Sequence, residues 1–299
     1  MPSLRSRLLK YLIKKRVEKA RREPFSLESK RQQVNEIGNR VKPPEGTYSV
    51  TVSANAIPCE WVKTPRSTDS HTIFFLHGGD YIRGSLQSHR GLAARLAEAS
   101  GGRALVVDYR LAPEFPFPAA IDDALTAYTW LIKRVPPKKI VFAGDSAGAG
   151  LVLATMLKLR DEKIALPTAA VLLCPWVDLQ CGNESYERLA TLDPIHTKEE
   201  LLEWGQLYYQ QHDPRNPYVS PLHADLKGLP PLFIQAATHD LLVGEARALA
   251  EKASQMGVKA ELDVWDQMIH NWQMFGNRLP EAGKAIQKAG AFVRSRVGN

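Results

Sequence analysis

Between Lys138 and Gly148 an apolar, β-branched run passes directly into a serine bracketed by glycines, Gly144-Asp145-Ser146-Ala147-Gly148, and then into an Ala- and Leu-rich stretch. A strand that turns so sharply into a helix needs minimal side chains two residues before and two after the corner. The pattern predicts a nucleophile elbow, with the Ser146 hydroxyl lifted clear of a sheet. The free N–H groups of the following helix would then point at any anion that forms there. Such a pentapeptide also arises by chance, so its weight depends on what surrounds it.

The surroundings are those of an α/β sheet. Residues 47–56 and 57–64 alternate apolar and polar side chains and predict an antiparallel pair, with Pro58 setting the second strand near an edge or bulge. Thr72-Ile73-Phe74-Phe75-Leu76 is continuously apolar, as expected of a strand covered on both faces, and ends in His77-Gly78-Gly79-Asp80. Two glycines at a strand end let backbone N–H groups approach a ligand, as an oxyanion hole requires; without the elbow they would read as a tight turn. Helical patterns over residues 88–100 and 118–134 alternate with apolar strands over 103–109 and 140–143. That order predicts right-handed parallel crossovers, with the ligand site at the carboxyl ends of the strands.

These motifs resemble the hormone-sensitive-lipase-like branch of the α/β-hydrolase esterases. His77-Gly78-Gly79-Asp80 matches its H-G-G-G motif, Tyr109-Arg110-Leu111-Ala112-Pro113-Glu114 its Y-R-L-A-P-E segment, and residues 144–148 its G-D-S-A-G elbow. The resemblance implies an α/β-hydrolase fold, a mostly parallel sheet flanked by helices. It also implies a helical cap in two parts, residues 1–46 and 180–212, over a core of residues 47–179 and 213–299. The implied activity is a carboxylesterase for short- to medium-chain acyl esters, and related esterases often dimerise through a sheet edge.

A serine hydroxyl is a poor nucleophile at neutral pH and needs a general base held by a carboxylate. After Ser146 the histidines are His196, His212, His223, His239 and His270, and only His270 follows a late strand pattern, residues 259–265, through the loop 266–270. The family resemblance, through its M-x-H loop, likewise implies His270 as the base. Asp240 ends another apolar strand, residues 231–237, and matches the first Asp of the family's D-P-L-x-D loop; Leu241 stands for the proline and Gly244 for the second Asp. Asp266 is the rival acid, but Asp240 is preferred because a separate loop can reach the imidazole from the side opposite the serine. Asp145 is expected to anchor the elbow. The oxyanion donors would be the N–H groups of Gly78, Gly79 and Ala147, and the chemistry calls for water but no metal or organic cofactor.

Asp80 departs from the motif's third glycine. It is either a tolerated variant turned away from the site or a carboxylate that limits bulky or acidic substrate groups. Asp80, Tyr81, Phe25, Trp204 and Tyr208 are the expected substrate contacts, the last two on an amphipathic helix over residues 199–211 that would roof the site or pack the cap. The same triad serves amidases, thioesterases and lactonases, and the fold also serves as a small-ligand receptor when the triad is incomplete.

The formal charge of +7 lies wholly on residues 1–23, where nine basic side chains face only Glu18 and Glu23. There Leu4, Leu8, Tyr11 and Leu12 recur at helical spacing, which predicts a basic amphipathic helix. Preferred is a lid helix whose apolar stripe packs on the protein; a contact with a membrane surface or polyanion is the other reading. Residues 24–46 read as a connection with one helical turn near 27–37. No apolar run is long enough to span a bilayer and none forms a signal-peptide core, so a cytoplasmic location without nucleic-acid partner or membrane insertion is expected. Cys59, Cys174 and Cys181 have no zinc or redox spacing and are expected to be free thiols.

Overall fold

A computed structural model describes residues 2–23 and 26–298. Phe25, an expected substrate contact, lies outside the described residues. Two helices come first, α1 (Leu4–Ala20) and α2 (Leu27–Arg40). The second is a full helix where a single turn was expected, for one local and one tertiary reason. Ser26 caps its N-terminus by accepting the Ser29 N–H at 3.2 Å, and Gly38 crosses the helix over Leu86–Ser100 so closely that a Cβ there would lie 2.5 Å from Ser88 Cα.

The strands β1 (Tyr48–Ala54), β2 (Ile57–Lys63) and β3 (Thr72–Leu76) are followed by α3 (Leu86–Ser100), β4 (Arg103–Val107), α4 (Ala119–Ile132), β5 (Ile140–Asp145) and α5 (Ala147–Asp161). Then come β6 (Ala169–Leu173), the short α6 (Ser185–Arg188), α7 (Lys198–Tyr209), β7 (Leu232–His239), α8 (Val243–Gln255), β8 (Ala260–Ile269) and α9 (Pro280–Val297). The eight strands form one sheet in the order β1-β2-β4-β3-β5-β6-β7-β8. Only β1–β2 and β2–β4 pair antiparallel; the remaining pairs are parallel. Pro58 belongs to an inner strand, not to the edge. It sits one residue before the pairing with β4 begins at Cys59, so its missing N–H interrupts no bond to that neighbour.

β3, β5 and β6 are buried along their whole length, which explains their unbroken apolar runs. One face packs Phe74 and Phe142 against Tyr128 of α4 and under α5; the other packs Phe75, Val106 and Val141 under α3 and α9. β8 is longer than its alternating pattern suggests. A register shift opposite Ala237 and His239 carries pairing on to Ile269, so residues 266–269 are strand and not loop. All three cysteines are buried and free.

Candidate active site

Ser146 sits between β5 and α5 with φ 53° and ψ −124°, a strained conformation for a residue with a side chain. Its surroundings enforce it. The Ser146 N–H donates to Leu173 O at 2.8 Å, and Ser146 O accepts from Ala149, Gly150 and Trp176. A Cβ on Gly144 would fall 2.5 Å from Gly148 O, and one on Gly148 would fall 2.2 Å from Leu76 O. The bracketing glycines are thus required by the close approach of the elbow to the end of β3.

The loop after β3 is tied to the elbow through Asp145. Its Oδ1 accepts the Gly78 N–H at 3.0 Å, and its Oδ2 accepts from Asn271 Nδ2 at 2.7 Å and faces His89 Nε2 at 3.3 Å. Burial would raise this carboxyl, yet His89 and the Gly78 N–H hold it below the usual range. Asp145 therefore anchors the elbow as expected. The same bond removes Gly78 from the expected oxyanion donors, because its N–H is already committed. Among the described residues no acceptor meets the N–H groups of Gly79, Asp80 or Ala147. His77 stiffens the loop from below: its ring stacks on Tyr109 at 4.3 Å, its Nδ1 donates to Gly78 O, and burial lowers it to about 3, so it stays neutral. Tyr109 Oη donates to His77 O at 2.6 Å, which gives the Tyr109–Glu114 segment a bracing role.

His270 follows β8 directly, and its Nδ1 meets Asp240 Oδ2 at 2.9 Å, both groups buried. Asp266, the rival acid, is exposed and accepts from Thr238 Oγ1. Burial alone would depress the imidazole; the negative charge of Asp240, its hydrogen bond, and the charges of Asp193 and Asp80 overcome that and push it up to about 9. Asp240 responds in the opposite sense. Burial raises it, but the His270 pair and the Leu242 N–H, 3.0 Å from Oδ1, leave it below the ordinary carboxylate range. The Cys174 thiol completes a cluster with these two residues, their polar atoms lying within 4.8 Å of one another. At Gly244, where the family motif has an acid, a Cβ would meet Asn183 Oδ1 at 1.8 Å and Ser185 Oγ at 2.5 Å, so both side chains would have to move to admit one.

Ser146 and His270 line one cavity of about 390 Å³. Gly79, Asp80 and Asn271 also line it, together with Leu9, Leu12, Ile13 and Val17 of α1, Val34 and Ile37 of α2, and Trp204 of α7. Asp80 is not turned away. It lies in the left-handed region at φ 58°, is buried, lines the cavity and accepts from Arg83 Nε at 2.8 Å. Arg83 in turn covers the Trp204 ring at 4.7 Å. Two expected substrate contacts lie elsewhere. Tyr81 and Tyr208 stack on each other at 3.8 Å in the core and are not cavity walls, because Tyr208 lies one turn beyond Trp204 on the same face of α7 and only Trp204 reaches the cavity.

Three contributors escaped the sequence reading. His196, in a region where solvated histidines are common, is buried, lines the cavity and packs edge-on to His270 at 4.7 Å. Burial and the neighbouring His270 keep it well below its ordinary value, hence neutral. Asp193 accepts from Ile195 N at 2.7 Å and His196 N at 3.1 Å through Oδ1, and from Leu241 N at 3.0 Å through Oδ2. Burial and the nearby Asp240 raise it to about 6. Arg31 of α2 grips Glu114 with two bonds of 2.7 Å and also donates to Ile82 O and Ala112 O. An Asp-Pro turn is legible around Asp193, but its partner 48 residues on is not.

Residues 73–274 match the family described as "alpha/beta hydrolase fold", and the chain belongs to that family. It is 41% identical over 263 residues to an acetyl-hydrolase of Streptomyces hygroscopicus, covering 88% of this chain and 86% of the relative. An esterase of Acinetobacter venetianus is 36% identical over 233 residues, 77% of each chain. A crystal structure of an esterase from the bacterial hormone-sensitive lipase family superposes with a TM-score of 0.95 at 38% identity, covering 100% of both chains. EstE5 soaked with p-nitrophenyl butyrate gives 0.94 at 34% identity, covering 99% of this chain and 100% of its own. Within the family the chain falls in the hormone-sensitive-lipase branch, and it is a carboxylic ester hydrolase.

Proposed function

We propose that the chain hydrolyses short- to medium-chain acyl esters through a Ser146–His270–Asp240 triad and an acyl-enzyme. The observation that carries this reading is the 2.9 Å contact of His270 Nδ1 with Asp240 Oδ2 beside a cavity that Ser146 shares. Asp240 fixes the tautomer in which His270 Nε2 is free to accept a proton. Ser146 Oγ attacks the ester carbonyl carbon as His270 takes its proton. The oxyanion is held by the N–H groups of Gly79, Asp80 and Ala147, the last backed by the N-terminus of α5. The C–O bond to the alcohol then breaks and His270 returns the proton to the leaving oxygen. Water, activated by the same base, releases the acid and restores Ser146.

Residues 1–46 and 180–212 act as the cap over a core of residues 47–179 and 213–299, since side chains from both parts wall the cavity. A cavity of about 390 Å³ is at the small end of ligand sites and suits short acyl groups. The test is a series of p-nitrophenyl acyl esters of rising chain length, run on wild type, Ser146→Ala and His270→Ala. Turnover should fall by at least about 10³-fold in both variants, and wild-type kcat/KM should decline for long chains. Undiminished turnover in either variant overturns the triad; a rising rate with long acyl chains overturns the substrate range.

A further inference from the structure

The stripe Leu4, Leu8, Tyr11 and Leu12, expected to pack on the protein, faces outward through its first three members, and Leu12 borders the cavity. These side chains are 81%, 60%, 58% and 53% exposed. The inner face of α1 is a second apolar stripe, Leu9, Ile13 and Val17, that lines the cavity. A helix on a protein surface needs one apolar face to fold against its core. α1 has two, on opposite sides, and the outer one has no partner among the described residues.

We infer that the outer face of α1 docks on an anionic lipid surface. Charge selects this occupant over the alternatives. The whole formal +7 lies on residues 1–23, and Arg5, Arg7 and Lys14, exposed beside the stripe, have no carboxylate partner among the described residues. Two copies meeting face to face would bring like charge onto like charge. A nucleic acid would satisfy the charge but leave the leucines in water. A bilayer rich in anionic lipid meets both demands, with apolar side chains entering the acyl boundary and cations staying among headgroups. No helix is long and apolar enough to cross a membrane, so α1 would lie in the plane of the interface.

The face is preformed. Near the N-terminus of α1, the Ser3 N–H donates to Glu281 Oε1 at 2.6 Å; just past its C-terminus, Arg21 pairs with Glu200 at 2.7 Å. Because the inner stripe is a cavity wall, docking would set the substrate cavity one helix diameter from the lipid surface.

The test is sedimentation of the full chain with phosphatidylcholine vesicles, with and without phosphatidylglycerol, at low and high salt. Wild type should partition onto the phosphatidylglycerol vesicles and be released by salt. Removing each charge in Arg5→Gln, Arg7→Gln and Lys14→Gln should weaken partition about fivefold. The triple variant Leu4→Ser, Leu8→Ser, Tyr11→Ser should weaken it at least about tenfold. None of these six residues lines the cavity, so kcat/KM on a water-soluble p-nitrophenyl ester should be unchanged, which also shows that the variants fold. Three results overturn the assignment: no partition of wild type, undiminished partition of the leucine and tyrosine variant, or light scattering showing a wild-type dimer that this variant dissociates.

Discussion

Asp193 accepts the Leu241 N–H at 3.0 Å, so a second buried carboxylate braces the loop that presents Asp240 to His270. Its charge also helps to raise His270. Asp193→Asn keeps the shape and removes the charge, and should move the acid limb of the kcat/KM profile to lower pH. Because the amide offers only one oxygen, at least one of the three N–H groups loses its acceptor, which should cost about 1–3 kcal/mol of stability, read from urea unfolding. An unmoved limb with lowered stability would show that Asp193 acts only as a brace.

The wild-type profile follows from the direction of the His270 shift. Attack needs neutral imidazole, and the proton is held up to about 9. In the free enzyme kcat/KM should therefore climb about tenfold per pH unit through the neutral range and level only on the alkaline side. The linked stability runs the other way. A folded-state value above the ordinary 6.5 means that the charged pair stabilises the fold below that pH, and the contribution is lost as pH rises through about 9. Activity and urea midpoints measured across the same buffers should diverge over that interval.

Asp80 and Arg83 neutralise one another at the cavity wall. In Asp80→Asn the guanidinium is left uncompensated. Esters with a carboxylate at the end of the acyl chain should then gain about tenfold in kcat/KM relative to neutral esters of the same length. An unchanged ratio would assign Asp80 to loop conformation alone.

Glu114, although exposed, receives a bidentate pair from Arg31, which also donates to two loop carbonyls. The surface ion pair alone is worth about 0–1 kcal/mol. The expected effect of Arg31→Ala is therefore on substrate binding, with KM several-fold higher and kcat little changed as α2 loosens over the cavity. Arg31→Lys should not restore KM, because one ammonium cannot reproduce the fork. A fall confined to kcat would count against a positioning role.

Much of this arrangement was legible because local chemistry is dense there. The glycines around Ser146 and the unbroken apolar strands each have one plausible backbone state, so the elbow, the parallel sheet and the strand-end positions of Asp240 and His270 followed from residue type. The errors fall where a partner from a distant segment decides the outcome. Gly78 looked like a free donor until Asp145 claimed it; Asp80 could equally have turned away or faced the substrate until its pairing with Arg83 was seen. Periodicity picked out the stripe Leu4, Leu8, Tyr11 and Leu12 of α1 but passed over Leu9, Ile13 and Val17, the one that lines the cavity. His196 and Asp193 carry no local signature, since their roles come from the loop at 240–242 and the imidazole at 270.

The contact between the Gly148 position and Leu76 O, 2.2 Å for a missing Cβ, has a consequence for how activity fails on heating. Nucleophile and oxyanion loop cannot separate without breaking the centre of the sheet, so they form one mechanical unit that melts with the whole molecule. The first two helices that complete the cavity are tied down by side-chain bonds such as those of Arg21, Arg31 and Glu281. Heat should therefore erode substrate selectivity before it erodes the capacity to cleave a small activated ester, the walls yielding while the chemical centre is still intact.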